Sequence, residues 1–71
     1  MGPSNQQRAR WANRAVLAHA AATRTENESA ETQLQDLLTN LRHWATESGL
    51  NFADVDANAA GQWAEEVEEE A

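Results

Sequence analysis

The sequence predicts an all-α protein, a small bundle of two to three helices completed by homodimerisation. Three observations carry this. Apolar residues recur at spacings of three and four through the middle of the chain. A glycine stop at Gly49 is followed by a second run with the same rhythm. The large apolar residues are too few to close a core from one copy, which points to a second chain. The sequence is treated as one domain, 1–71, with helices expected at about 6–24, 30–48 and 52–66 and flexible ends at 1–5 and 67–71.

The first helix, in NQQRARWANRAVLAHAAATR, rests on propensity: alanine and arginine are strong helix formers. Its amphipathicity is weak. Trp11, Ala15, Ala18 and Ala22 share a stripe, while Val16 and Leu17 point elsewhere, so close packing on more than one side is expected.

The second helix has the clearest pattern. Leu34, Leu37, Leu38, Leu41, Trp44 and Ala45 fall at i, i+3, i+4 and i+7, one stripe of an α-helix. Ser29 is its expected N-cap, with a competing capping box at Thr25 and Glu28. Gly49 suits the left-handed position after the helix, with Leu50 folding back on the last turn. Asn51 then caps a third helix whose first turns hold Asp54 and Asp56. Phe52, Val55, Ala59 and Trp63 follow at spacings of three, four and four, and Val67 continues the line. Gly61 weakens this helix by about 1 kcal/mol relative to Ala. The terminal EEVEEE places negative charge at a helix C-terminus, so fraying is expected from about residue 66 unless basic groups cover it. Leu34, Leu37, Leu38, Leu41, Trp44, Phe52, Val55 and Trp63 are the expected core and dimer residues.

Composition shows why self-association enters. Of 71 residues 41% are hydrophobic, but fifteen of these are alanine. Met1 aside, six Leu, three Val, three Trp and one Phe remain. At ~1.5–3 kcal/mol per fully buried side chain, that core is easily offset by conformational entropy. There is no cysteine, which excludes disulfides and thiolate zinc sites. No apolar run approaches the roughly 18–20 residues that span a bilayer, so no membrane role and a cytoplasmic location are expected.

The formal charge of −7 is split unevenly. Arg8, Arg10, Arg14 and Arg24 precede every acid; from Glu26 onward, twelve acids face Arg42 alone. Nucleic-acid binders show the opposite balance, with clustered cations answering the phosphates. Ala45, Gly49 and Val55 do match the small residue, turn glycine and buried aliphatic of a helix-turn-helix corner, here at 45–55. The helix that would read bases, however, opens with two aspartates and no cation. DNA reading, anchored by Arg8, Arg10 and Arg14, is therefore the alternative rather than the expectation.

Catalytic signals are weaker still. Glu28 with Glu31 and Glu65 with Glu68 share the spacing of the metal-binding acids in all-α nucleotide pyrophosphohydrolases, a remote alternative. The first pair sits at a helix start and the second in an acidic tail, so no metal, cofactor or catalytic residue is expected. His43 and Glu47 lie four apart without a third ligand, and both His43 and His19 read as ordinary boundary or surface residues. Trp11, beside Arg10 and Arg14, combines two residue types enriched at binding hot spots.

The stretch LQDLLTNLRHWATESGLNFADVDANAAGQW resembles the C-terminal part of short uncharacterised proteins of bacteriophages, prophages and mobile elements. Leu37, Leu38, Leu41, Arg42, His43, Trp44, Gly49, Leu50, Asn51 and Phe52 carry the likeness, which extends over roughly residues 8–66. The group has no settled catalytic residues. Where its members tend to place a His-aromatic pair near the end, this chain has Gln62-Trp63, so no role for that histidine carries over. The resemblance implies a non-enzymatic protein that binds and modulates a bacterial host protein, in defence or transcription machinery, inside the host cell. An acidic surface competing for a basic groove, by nucleic-acid mimicry, is the expected means. Trp11, Arg14, Asp54, Asp56, Glu65, Glu66, Glu68 and Glu69 are the expected partner-binding residues.

Overall fold

In the computed structural model, which describes residues 2–71, three α-helices make up most of the chain. They are α1 (Asn5–Thr23), α2 (Ala30–Glu47) and α3 (Phe52–Glu70), and each contacts the other two. No strand occurs among the described residues.

Each helix start has a side-chain cap. The Ser4 hydroxyl accepts from the Gln7 amide at 3.1 Å, Ser29 from Thr32 at 3.2 Å, and Asn51 from Asp54 at 3.1 Å. Each satisfies one of the amides that a helix start leaves without a partner. Ser29 and Asn51 are the caps the sequence indicates. Ser4 is a further one, and it orders a stretch expected to be flexible (Met1 lies outside the described residues).

The ends of α1 and α2 follow one pattern. After α2, Gly49 donates to the Thr46 carbonyl at 3.2 Å and Leu50 to the Ala45 carbonyl at 2.9 Å, with Gly49 at φ 72°. After α1, Arg24 donates to Ala21 at 3.3 Å and Thr25 to Ala20 at 2.8 Å, with Arg24 at φ 59°. Both are Schellman turns, in which a left-handed residue lets two amides return to the helix's last carbonyls. The first uses glycine, as the sequence indicates. The second imposes the same conformation on an arginine.

α3 does not fray at residue 66 as expected; it continues to Glu70. The reason is the α1 N-terminus, which supplies donors and a cation to this acidic end. The Asn5 amide donates to the Glu70 carboxylate at 2.7 Å, and the Asn5 side-chain amide to the Glu66 carbonyl at 2.9 Å. Arg8 pairs with the Glu66 carboxylate at 2.9 Å and also donates to Asn5 Oδ1 at 2.6 Å. The positive end of one helix dipole thus meets the negative end of another.

Between α1 and α2 the polar contacts are side-chain to loop and side-chain to side-chain. Gln33, buried on α2, donates through Nε2 to the carbonyls of Thr25, Glu26 and Glu28 at 3.1–3.3 Å and so holds the connecting loop. His19 Nε2 and Asn40 Nδ2 lie 2.8 Å apart across the two helices. His19 is therefore part of the α1–α2 contact rather than the surface residue expected, and its Nδ1 is buried without a partner.

The core is smaller than even the thin expectation. Among the described residues its fully enclosed apolar side chains are Ala20 and Ala45, and no large side chain is completely buried. Leu37 and Phe52 are half-buried; Leu34, Leu38, Leu41 and Val55 are exposed. Trp44 and Trp63, expected in the core, are 62% and 66% exposed, because no element of the chain lies over them. The molecule measures 36 × 30 × 18 Å with a radius of gyration of 13.8 Å. A globular chain of this length has a radius near 11 Å, so three long helices here enclose little between them.

Candidate interaction surfaces

At 100° per residue, α3 divides into two unlike sides. Phe52, Val55, Ala59, Trp63 and Val67 form one line along the helix. Asp54, Glu65 and Glu68 project from the opposite side, with Glu69 on its flank, and all four are exposed. Asp54 and Glu65 are separated by three turns, about 16 Å along the axis. Glu65, Glu68 and Glu69 stand three and four residues apart, where like charges destabilise a helix by ~0.2–0.5 kcal/mol per pair.

Two of the eight residues expected to bind a partner depart from that picture. Glu66 is half-buried and committed to Arg8, in the one ion pair among the described residues. Its carboxylate serves the fold. Asp56 is exposed but falls between Trp63 and Val67 around the helix, on the apolar side and away from Asp54, Glu65 and Glu68. The acids exposed on the outer side of α3 are thus Asp54, Glu65, Glu68 and Glu69. Trp11 is 50% exposed on α1, and Arg14, one turn on, is exposed and has no ion pair among the described residues. Trp11 does not close the bundle.

The α2–α3 corner holds an apolar pocket of about 200 Å³, lined by Leu41, Trp44, Ala45, Leu50, Phe52 and Val55. Arg42 lies over the Phe52 ring at 4.5 Å and covers one flank of the corner, a cation–π contact. The corner has the turn of a helix-turn-helix unit, with Ala45 buried and Gly49 left-handed. It lacks the enclosed aliphatic, since Val55 is 53% exposed. Helix α1 reaches α3 by hydrogen bond and ion pair only near the far end, at Glu66 and Glu70, and leaves Val55 uncovered. Asp54 and Asp56 stand exposed on the helix that would meet the bases.

The residues weighed for catalysis stay apart. Glu28 and Glu31 are exposed around the start of α2, and Glu65 and Glu68 are exposed near the end of α3. Among the described residues, no three His, Cys, Asp or Glu side chains gather closely enough to hold a metal ion. No described helix is long and apolar enough to cross a membrane.

The features that sequence reasoning missed are polar: the Gln33 clamp, the His19–Asn40 contact and the Asn5–Glu70 closure. A signal existed for the last. An acidic helix end needs cations or donors nearby, and Arg8 with Asn5 stood in the only basic segment of the chain. Comparison with protein-family models, curated proteins and solved structures finds no match to this chain.

Proposed function

We propose that this protein is a small non-enzymatic binding module of phage or mobile-element type. It modulates a bacterial host protein of the defence or transcription machinery by offering an acidic helix face to a basic groove. The observation that carries this reading is the outer side of α3, where Asp54, Glu65, Glu68 and Glu69 are exposed and make no ion pair among the described residues. The mutual repulsion of Glu65, Glu68 and Glu69 lowers the stability of the free chain, and a cationic partner relieves it. The remaining charge reinforces the effect: the net −7 repels nucleic acid and attracts surfaces that bind nucleic acid.

The test is affinity capture from a bacterial lysate, with identification of what is retained. The wild-type chain is compared with one carrying Asp54→Asn, Glu65→Gln, Glu68→Gln and Glu69→Gln. Retention should be lost in the neutralised chain, and should fall about tenfold or more as salt rises from ~0.1 M to ~1 M. Retention indifferent to both changes would move the binding site to Trp11 or the leucine face of α2.

The turn geometry of Ala45 and Gly49 keeps one second reading in play, a DNA-binding regulator. It predicts retardation of the protein's own promoter DNA at low salt, lost when Arg8, Arg10 and Arg14 are replaced. A mobility-shift experiment without retardation removes it.

A further inference from the structure

The middle of the apolar side of α3, from Val55 through Ala59 to Trp63, is exposed, with α2 reaching only its start and α1 only its end. We propose that a second copy covers it. The two copies form a twofold dimer through the line Val55–Ala59–Trp63, and Trp63 of each copy seats against Val55 of the other, at the mouth of the α2–α3 pocket. This is separate from the acidic-face reading, because the dimer leaves Asp54, Glu65 and Glu68 pointing outward.

Area is the first reason. The chain exposes 5901 Å². A folded monomer of 7.8 kDa exposes about 4,400 Å², so roughly 1,500 Å² is in excess. Obligate dimers bury about 1,000–2,500 Å² per subunit, and the excess falls within that range. Its composition is also right. Trp63 is the most exposed of the large apolar residues, and Val55, Trp44 and Leu41 are exposed together at the α2–α3 corner.

Geometry is the second. In an antiparallel pairing of α3 with its copy about an axis near Ala59, position 63 of one chain meets position 55 of the other, and 67 meets 51. The small side chain of Ala59 permits close approach at the crossing. The pocket beyond Val55 is lined wholly by apolar side chains and stands ready for an indole edge. Such self-complementarity is what a twofold interface requires.

Charge is the third. The same register brings the acidic end of one α3 to the Asn51–Phe52 end of the other. Arg42 sits there, on the Phe52 ring, as the only cation after Arg24. Glu66 and Glu70 of that end are already held by Arg8 and Asn5 of their own chain, so Arg42 of the partner subunit adds a cation to an end that is in part neutralised.

Sedimentation equilibrium at micromolar concentrations should give twice the chain mass of 7.8 kDa. Trp63→Ala should raise the dissociation constant about tenfold or more, while Trp11→Ala leaves it unchanged. Circular dichroism reports whether each variant keeps its helices. A chain with so little core can lose helix when its dimer is broken, so a second measurement decides that case. The protein has no cysteine, and Ala59→Cys places a single thiol at the axis, within reach of its twin. Mild oxidation should link Ala59→Cys chains into covalent dimers under conditions that leave Gly61→Cys, on the opposite side of α3, unlinked. A monomeric wild type, equal effects of Trp11→Ala and Trp63→Ala, or linkage of Gly61→Cys as readily as Ala59→Cys would overturn the proposal.

Discussion

Arg24 and Gly49 occupy the same place in two matching helix-ending turns, and only one of them is glycine. Exchanging the residue type at each should move stability in opposite directions. A left-handed backbone brings Cβ too close to the following carbonyl, at a cost of about 1–2 kcal/mol for an L residue. At Gly49 an added Cβ would meet nothing within 4 Å, so Gly49→Ala registers backbone strain alone. The expected loss is about 1 kcal/mol. At Arg24 the strain is already present, and Arg24→Gly removes it. The greater freedom of glycine in the unfolded chain offsets part of the gain, leaving about 0.5–1 kcal/mol. In a domain of this size, 1 kcal/mol shifts Tm by about 4–8 °C. Thermal unfolding followed by circular dichroism separates the variants, at one protein concentration because association also shifts Tm. Gly49→Ala should melt lower than wild type and Arg24→Gly higher. If Arg24→Gly melts lower, its side chain contributes more than the turn costs, and reasoning from backbone strain fails at this position.

Three other substitutions probe separate parts of the fold. Gln33→Leu leaves the loop carbonyls of Thr25, Glu26 and Glu28 without their shared donor, and urea unfolding should show a loss of about 1–3 kcal/mol. Gly61→Ala adds a methyl group in open space within a helix, and the same assay should show a gain of about 0.5–1 kcal/mol. Arg8→Gln breaks an ion pair whose side chains are 30% and 35% exposed, so the global loss should stay below about 1 kcal/mol. Its local effect is larger: amide hydrogen exchange in the last turn of α3 should quicken while that of α2 stays unchanged.

The helices were legible in the sequence where local chemistry decides them. The leucine rhythm of α2, the Ser29 and Asn51 caps and the Gly49 turn all depend on neighbours within one or two turns. The end of α3 was legible only as a condition, fraying unless basic groups cover it; which residues cover it was not, because Asn5 makes its contacts across more than sixty residues of chain. The Arg24 turn carries no sequence signal, since arginine is not a residue that favours a left-handed conformation. The exposure of Trp44 and Trp63 was the largest departure. Periodicity says which side of a helix is apolar, but not whether an element of the same chain lies over it. Among the expected site residues, the acids of α3 were legible by charge. Only the three-dimensional arrangement separates Glu66, which serves the fold, from Glu65 and Glu68, which face outward.

The dimer rests on one claim: the apolar surface that this chain leaves open belongs in an interface with its own copy. Sedimentation equilibrium of the unmodified protein tests that claim most directly. A dimer across micromolar concentrations, at twice 7.8 kDa, is the predicted result. A folded monomer of 7.8 kDa over the same range would contradict it.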